Sequence, residues 1–496
     1  MKRKFTYLRQ MLVCSKILII TIMLQFVTIS VSSKNLYIPT FFPDSLISRV
    51  KSESGFLNKW IDSAFVIGNT IVEPKKSVLE DWLITPSQFT EKGDLNVPNK
   101  KLSLIVLGDG LAAGWKDGGL FRDAQQFTFP NLVAHQLGIT NFNSPIFDVE
   151  HGNGTGFLVR EKSSRYPRWK EVKNNLAIKN GYSIPEFVEY QGDEAENLAI
   201  PRISTGSVSA TLSPENEGWI FDGSGRRYTD DMPFLWRLNA GADKSKITYW
   251  GMAQDILKSK QPQLVFSIFG FDEMTQQNIK SENVKMSWSL ASSEASPLVI
   301  SVAELATKNG AKGIVFTIPD FKHLPYFNWY KKMDLDELNS KVQLKRSRIG
   351  VIGNLPIRGE MIFLPTKNTE MLFNEAGTAG SAEFPLEDKD VADESEIIGG
   401  SSAAINVRIK REAKEKGLLV VDLAALYATI YLEGIKTFDG FIIEPGENSS
   451  FFSEDGLYPS TIGHAIIANE TIKILNQEFK SKIPLINVSE FADYLK

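Results

Sequence analysis

The sequence has one cysteine, Cys14, among 496 residues, and only four histidines. Cys14 precedes an apolar run, so a chain cleaved after that run would contain no cysteine. Disulfides, thiolate metal sites and a cysteine nucleophile are then excluded.

Basic residues are not in excess, because the chain has 55 Lys and Arg and 59 Asp and Glu, a formal net charge of −4. We therefore expect no nucleic acid among its partners, and no cofactor is indicated.

What the chain does have is enough apolar material for a large core, since 43% of its residues are hydrophobic and 11% are aromatic. Its amino terminus is basic and leads into the apolar run 17–31, which serines follow. This pattern is typical of a secretory signal peptide over residues 1–33, with an uncleaved anchor as the alternative. Cys14 lies before the run, so lipid attachment is not expected. We expect the remainder of the protein outside the cytoplasm.

Short apolar runs bounded by Gly, Pro or Asp predict four strands, each buried on both faces. They are rich in Val, Ile, Leu and Phe, and they cover 102–107, 264–270, 313–319 and 418–423. Such continuous apolar runs are typical of the strands of a parallel sheet.

Helical patterns alternate with these strands, at 126–138, 296–310, 401–417 and 460–479. Alternating strands and helices predict a parallel sheet between helical layers. Functional sites of such sheets form at the carboxyl ends of the strands. Residues that follow the strands, Asp109 and Asp272 among them, are therefore expected at one mouth.

The domain organisation follows from the same pattern. Residues 34–100 form a lead-in of mixed character, and 101–490 is interpreted as one domain. Two long stretches within it, about 139–250 and 331–397, are interpreted as insertions on the core rather than as separate domains.

Ordered motifs along the chain resemble those of the SGNH (GDSL-type) hydrolase family, in the long exported form common in Bacteroidota. The matching segments are GDGLAAGWKDGGLFRDAQQFTFPNLVA from Gly108, NLAIPRI from Asn197, FGFDE from Phe269, IPDFKHLPYF from Ile318 and DGLYPSTIGHAIIAN from Asp455. The resemblance implies a flavodoxin-like three-layer α/β/α sandwich with a mostly parallel sheet. It also implies a serine nucleophile, a histidine base oriented by an aspartate, and an oxyanion hole.

The catalytic positions that the resemblance implies are altered in this chain. Gly110 stands at the nucleophile position and has no group that can attack a carbonyl. Tyr458 stands at the base position, and a phenol with a pKa of about 10 is a poor base near neutral pH. Asp455 is retained, but on this interpretation it has no histidine to orient. We therefore expect a pseudoenzyme.

The oxyanion-hole positions are altered as well. Asp272 stands where the family has a donor amide, or Phe271 if the motif is shifted by one residue, and neither donates a hydrogen bond there. Ala199 and Arg202 replace common glycines, and Arg202 is expected to fill part of the cleft. Gly110, by contrast, is expected to leave space where a serine side chain would lie.

Other residues offer weaker alternatives for catalysis. His464 lies within the last helical pattern, where a capping or packing role is the better interpretation. An active esterase would need an unrecognised nucleophile such as Ser103, within the first strand, or Ser207, in an insertion.

Four carboxylates, Asp109, Asp272, Glu273 and Asp455, suggest a speculative Ca²⁺ or Mg²⁺ site at the mouth. The favoured alternative is that Asp109 and Asp455 bind loop amides, so no metal is assigned.

Three functions remain open. The first is a non-catalytic scaffold or interaction subunit in the cell envelope, with other envelope proteins as partners and with membrane association through a partner or an uncleaved amino terminus. This places the protein in the periplasm, outer membrane or cell surface of a Gram-negative bacterium. The second is a binding protein for an acylated or glycan ligand, and the third is an active esterase. Exposed apolar patches on the insertions would favour the first function, and aromatic side chains at the mouth would favour the second.

Overall fold

The computed structural model describes the part of the chain from Val66 to Leu495, with gaps. The described residues are 66–74, 86–140, 142–161, 166–180, 185–203, 208, 232–239, 247–279, 295–331, 343–348, 351–356, 361–375, 390–393 and 402–495. All of them belong to one unit that spans Ser54–Lys496. The predicted signal peptide and Ser207 lie outside the described residues.

The strands range from two to six residues. They are β1 (Val66–Thr70), β2 (Leu104–Gly108), β3 (Trp115–Lys116), β4 (Gly119–Leu120), β5 (Phe157–Arg160), β6 (Trp169–Val172), β7 (Ile178–Asn180), β8 (Glu186–Phe187), β9 (Leu264–Ile268), β10 (Lys312–Phe316), β11 (Gln343–Arg348), β12 (Val351–Pro356), β13 (Met361–Phe363), β14 (Val391–Asp393), β15 (Leu419–Val421), β16 (Ile435–Lys436) and β17 (Ile442–Ile443).

The α-helices range from one turn to five. They are α1 (Gly110–Ala113), α2 (Arg122–Gln126), α3 (Phe129–Gln136), α4 (Met232–Leu238), α5 (Tyr249–Lys260), α6 (Phe271–Ile279), α7 (Ala295–Ala306), α8 (Lys367–Glu375), α9 (Ser402–Glu415), α10 (Leu423–Glu433), α11 (Thr461–Phe479) and α12 (Val488–Tyr494).

The central sheet has the order β15-β10-β9-β2, and all its neighbouring strands are parallel. These are the four strands predicted from the apolar runs. Beyond β2, residues 196–200 run parallel to it: Leu198 N–H donates to Val106 O over 2.8 Å, and Ile200 N–H donates to Gly108 O over 3.0 Å. After β2, the chain therefore first places residues 196–200 on one side of that strand. It forms β9 on the other side of β2 later in the sequence. Such a reversal places the carboxyl end of β2 at a switch point, where sites of α/β sheets form.

Helices cover both faces of this sheet. On one face, α7 packs against β9, β10 and α9, whereas α11 packs against β15 and α3 on the other. The predicted α/β class, a three-layer sandwich with a mostly parallel sheet, is confirmed. The four predicted helical patterns correspond to α3, α7, α9 and α11.

The long stretches between the core elements carry small sheets of their own. In the first, β5 and β6 form an antiparallel pair, and β1 adds to β6 in parallel from the lead-in. In the second, β11 pairs with β12 and β13 pairs with β14, both antiparallel. The domain and insertion boundaries remain predictions.

Tryptophans contribute mainly to the core. Four tryptophans, Trp115, Trp169, Trp250 and Trp329, are buried, and Trp236 is half-buried.

Within the described residues, no helix has both the length and the apolar composition needed to cross a membrane.

Candidate active site

Asp109 links the carboxyl end of β2 to two helices. Its Oδ1 accepts a hydrogen bond from Leu111 N–H over 3.2 Å, which caps α1. Its Oδ2 accepts from Phe271 N–H over 2.9 Å and from Asp272 N–H over 3.2 Å, at the start of α6. The first amides of a helix have no partner within the helix, so a buried carboxylate is a good acceptor for them. Asp109 therefore fixes the position of Asp272.

The Asp272 carboxylate lies at the centre of the site and is buried. Its Oδ2 accepts from the backbone N–H of Gly110 over 2.9 Å and from that of Arg202 over 2.5 Å. Its Oδ1 accepts from the hydroxyl of Tyr458 over 2.7 Å. Two backbone donors that converge on one oxygen are the arrangement that an oxyanion hole uses for a developing negative charge. Here the chain's own carboxylate occupies that position.

The expectation that Gly110 leaves space for a side chain is wrong. A Cβ atom at Gly110 would lie 2.7 Å from Asp272 Oδ2 and 2.8 Å from Oδ1, well inside van der Waals contact. The volume that a nucleophile's side chain needs is filled by the carboxylate. Gly110 is thus required by close packing, and the earlier interpretation of it as an empty position does not hold.

Asp455 holds the loop that carries Tyr458. Its Oδ1 accepts from Ser453 Oγ over 2.6 Å, Leu457 N–H over 2.9 Å and Tyr458 N–H over 3.1 Å. Its Oδ2 accepts from Gly118 N–H over 3.0 Å, in the turn between β3 and β4. The expectation that Asp455 has nothing to orient is therefore corrected: it orients the backbone before the tyrosine.

Burial raises the pKa of each acidic group at this site. Burial, and then the charge of Asp272, raise the pKa of Asp109 well above its usual value. Burial also raises the pKa of Asp272, opposed by the N–H groups of Arg202 and Gly110 and by the Tyr458 hydroxyl. Burial beside Asp272 raises the pKa of Tyr458 further above its usual value, so this phenol donates a proton in its hydrogen bond and does not act as a base.

Ala199 and Arg202 behave differently from what the motif implies. Ala199 N–H donates to the Asn197 side chain over 3.2 Å, so it does not contribute to the site. Arg202 contributes its backbone N–H, from a left-handed conformation with φ 68°. Its guanidinium lies 4.8 Å from the centre of the Trp115 ring. Its side chain is buried, and the expectation that it fills part of the cleft stays a prediction.

Two of the alternative catalytic residues, His464 and Ser103, do not reach the site. His464 is buried in α11, and its Nδ1 accepts from Phe129 N–H over 3.2 Å, at the start of α3. The expected capping role is therefore confirmed. Burial lowers its pKa to about 3. Ser103 directly precedes β2, at the strand end opposite Asp109, so its predicted place within the strand is off by one residue.

The speculative metal site is not formed. Asp109 and Asp272 do meet, and Asp455 contacts the same loop as Tyr458, but backbone amides and hydroxyls take up their oxygens. Glu273 is only half-buried. Among the described residues, no group of three or more His, Cys, Asp or Glu side chains is arranged to hold a metal ion.

Two features of the site lie beyond the reach of the sequence. The donor from Arg202 is a backbone N–H group, which any residue except proline provides, so residue type carries no signal for it. The bond between Tyr458 and Asp272 joins residues 186 positions apart. Asp272 was expected at the mouth and Tyr458 stands at an altered motif position, but neither observation predicts a bond between them.

The fold and the site together define an α/β three-layer sandwich with a closed carboxylate centre at its switch point. No family model matches the chain, and no curated protein does. Among solved structures, an extracellular lipase from Streptomyces rimosus is similar at 11% identity and a TM-score of 0.29, with 76% of this chain and 99% of the lipase covered. A likeness this low carries no argument about activity.

Proposed function

We propose that this chain is a non-catalytic protein on a hydrolase-like fold, which acts as a scaffold or interaction subunit in the envelope of a Gram-negative bacterium. The observation that carries the proposal is the bonding of Asp272. Its carboxylate fills the position where an oxyanion would bind and where a nucleophile's side chain would lie. A substrate carbonyl would have to displace a buried, triply hydrogen-bonded carboxylate, which is costly.

An esterase assay tests the first part of this proposal. We expect the purified protein to release p-nitrophenol from its acetate no faster than background, and no faster than its Asp455→Ala variant. The loss of nucleophile, base and oxyanion donor acts as a unit, so no residual activity is expected from any one group. Turnover by the wild type that the Asp455→Ala variant lacks would mean an intact catalytic site, and an unrecognised nucleophile would then be the better explanation.

An exposed apolar surface supports the interaction role. Leu432 at the end of α10, and Phe438 and Ile442 in the hairpin of β16 and β17, are each more than half exposed. These three residues, the C-terminal apolar surface, lie outside both predicted insertions, which expose Val149, Val159 and Met371 to a smaller extent. Exposed apolar groups within a short segment are typical of interaction sites.

Co-purification tests the scaffold role. We expect the tagged protein to bring a stoichiometric companion from its own membranes, and a Phe438→Ser/Ile442→Ser variant to lose it. Val407→Ser on α9 is the matched control, because Val407 is also exposed and lies outside the surface. A companion that the double variant retains would remove the C-terminal apolar surface from the proposal.

Export remains part of the proposal, supported by the basic start and the apolar run 17–31. We expect the intact mass of the mature protein to correspond to cleavage near residues 30–34. A chain that still begins at Met1 would favour an anchor instead.

A further inference from the structure

A cavity lies beside Arg237 of α4, away from the Asp272 centre. Its volume is about 290 Å³, close to the smallest pockets that bind drug-sized ligands. Its walls come from three segments, within 146–151, within 188–192 and at Arg237. The cavity therefore combines one buried cation and two carboxylates with apolar and aromatic side chains.

The hydrogen-bond acceptors and aromatic rings that contact Arg237 are neutral. Its Nη1 donates to Pro145 O over 2.7 Å and its Nη2 donates to Ile146 O over 3.2 Å. The guanidinium lies 4.1 Å from the centre of the Phe147 ring and 5.9 Å from that of Tyr190. Within the described part of the chain, Arg237 forms no ion pair, although the charge of Asp148 acts on it. A buried cation usually has an ion-pair partner, because its desolvation is costly.

Two nitrogen atoms in the lining residues remain without a partner. Arg237 Nε and His151 Nδ1 are buried, and neither has a hydrogen-bond partner among the described residues. Burial lowers the pKa of Arg237 to about 10, although the neighbouring Tyr190 and Asp148 oppose the shift. The guanidinium therefore stays protonated near neutral pH. Because the guanidinium is charged and its hydrogen-bond acceptors are carbonyl groups, a ligand with negative charge would be attracted to it.

We propose that this cavity binds a small monocarboxylate with an aromatic or apolar body. The carboxylate would pair with the Arg237 guanidinium, and the body would contact Phe147, Val188 and Tyr190. The acidic residues of the lining favour a single negative charge over a dianion: Glu189 lies 3.6 Å from Lys179, but Asp148 is exposed and without such an ion pair in the described residues. This site does not depend on catalysis, and it stands whether or not the Asp272 centre is active.

A series of probes with one shape and different charge tests the proposal on the purified full chain. Benzoate, benzamide, benzamidine and phenyl phosphate would be titrated and followed by ligand-observed NMR. We expect benzoate to bind with a dissociation constant on the order of millimolar and the other three to bind at least about fivefold more weakly. Benzamide that binds as tightly as benzoate would overturn the proposal, and so would the absence of benzoate binding at tens of millimolar.

Variants of the protein test whether Arg237 is responsible for benzoate binding. Arg237→Met keeps the length of the side chain without its charge, and we expect it to weaken benzoate binding about tenfold or more. Because Arg237 also binds two carbonyl groups, this variant can be unstable. Gln191→Glu is the second variant, since Gln191 is exposed and lines the cavity. It adds a negative charge, and we expect it to weaken benzoate binding about threefold or more and to leave benzamide unaffected.

Gln254→Glu on α5 is the matched control, because Gln254 is exposed and is not part of the lining. We expect it to bind benzoate as the wild type does. Equal weakening by Gln191→Glu and Gln254→Glu would mean that the overall charge of the protein, and not this cavity, governs binding, and the proposal would then fail.

Discussion

The hydroxyl of Tyr458 donates a hydrogen bond to Oδ1 of Asp272 over 2.7 Å, and both side chains are buried. This bond joins the loop before α11 to the first turn of α6. With the backbone N–H groups of Gly110 and Arg202 on the other oxygen, it completes the hydrogen bonding of the carboxylate. The centre is therefore a structural junction between the carboxyl ends of the strands.

Removing the tyrosine hydroxyl should destabilise the protein. A hydrogen bond to a charged group contributes about 1.5–3 kcal/mol, so we expect Tyr458→Phe to lower the free energy of unfolding by about that amount. Urea unfolding measures it. Tyr494→Phe is the control, because Tyr494 is exposed and its 3.4 Å contact with Glu490 is long. If both variants were equally stable, the bond to Asp272 would have no structural role.

A side chain at Gly110 should clash with Asp272 in particular. Gly110 lies in α1, where alanine is otherwise favoured over glycine, yet a Cβ there would be 2.7 Å from the carboxylate. We expect Gly110→Ala to destabilise by about 1–3 kcal/mol through overpacking. In the presence of Asp272→Ala the same change should cost at least about 1 kcal/mol less. A double-mutant cycle by urea unfolding tests this coupling, and additive effects would show that the space at Gly110 is not limited by Asp272.

Asp117 should make the protein less stable as the pH rises through the acidic range. Burial raises its pKa to about 6, with the charge of Asp455 as a further cause and that of Lys116 in opposition. Because the folded state holds this proton more tightly than the unfolded state, the stabilisation is complete below about pH 4 and is lost as the pH rises through 6. We expect a loss on the order of 2–3 kcal/mol relative to Asp117→Asn.

Asparagine suits this position because Asp117 has a φ of 52°, and asparagine accepts the left-handed region better than most residues. The comparison consists of urea unfolding of both proteins between pH 4 and 7, with Asp255→Asn on the exposed face of α5 as a control. Parallel pH profiles for wild type and Asp117→Asn would contradict the assignment.

The effect of His464 on stability should have the opposite sign: it should make the protein more stable as the pH rises. Burial lowers its pKa to about 3, so the unfolded state binds the proton first. The stabilisation is present above about pH 6.5 and is lost as the pH falls toward 3. We expect His464→Gln, whose side-chain oxygen can still accept from Phe129 N–H, to remove most of this loss. Thermal unfolding between pH 4 and 7 measures it, and an unchanged slope in the variant would refute the role of His464.

The central sheet is largely determined by local sequence. A run such as 264–270 is apolar on both faces, and only burial between two layers satisfies it, so β9 and its neighbours were predictable. The alternation with helical patterns implied parallel strands, and Asp109 directly after β2 marked the functional edge. These features depend on periodicity and on residue type, which the sequence contains.

The chemistry of the centre was decided by tertiary structure. The sequence showed that Gly110 is not a serine and that Tyr458 is not a histidine, but it suggested an empty space at Gly110. The carboxylate of Asp272 fills that space because α6 begins at the same edge as α1, 162 residues apart in the chain. No sequence motif marks the cavity beside Arg237, since its walls come together only when 146–151, 188–192 and α4 pack against one another. Sequence periodicity indicates which face of a helix or strand is buried. The packing of segments that are distant in sequence decides which residues that face contacts.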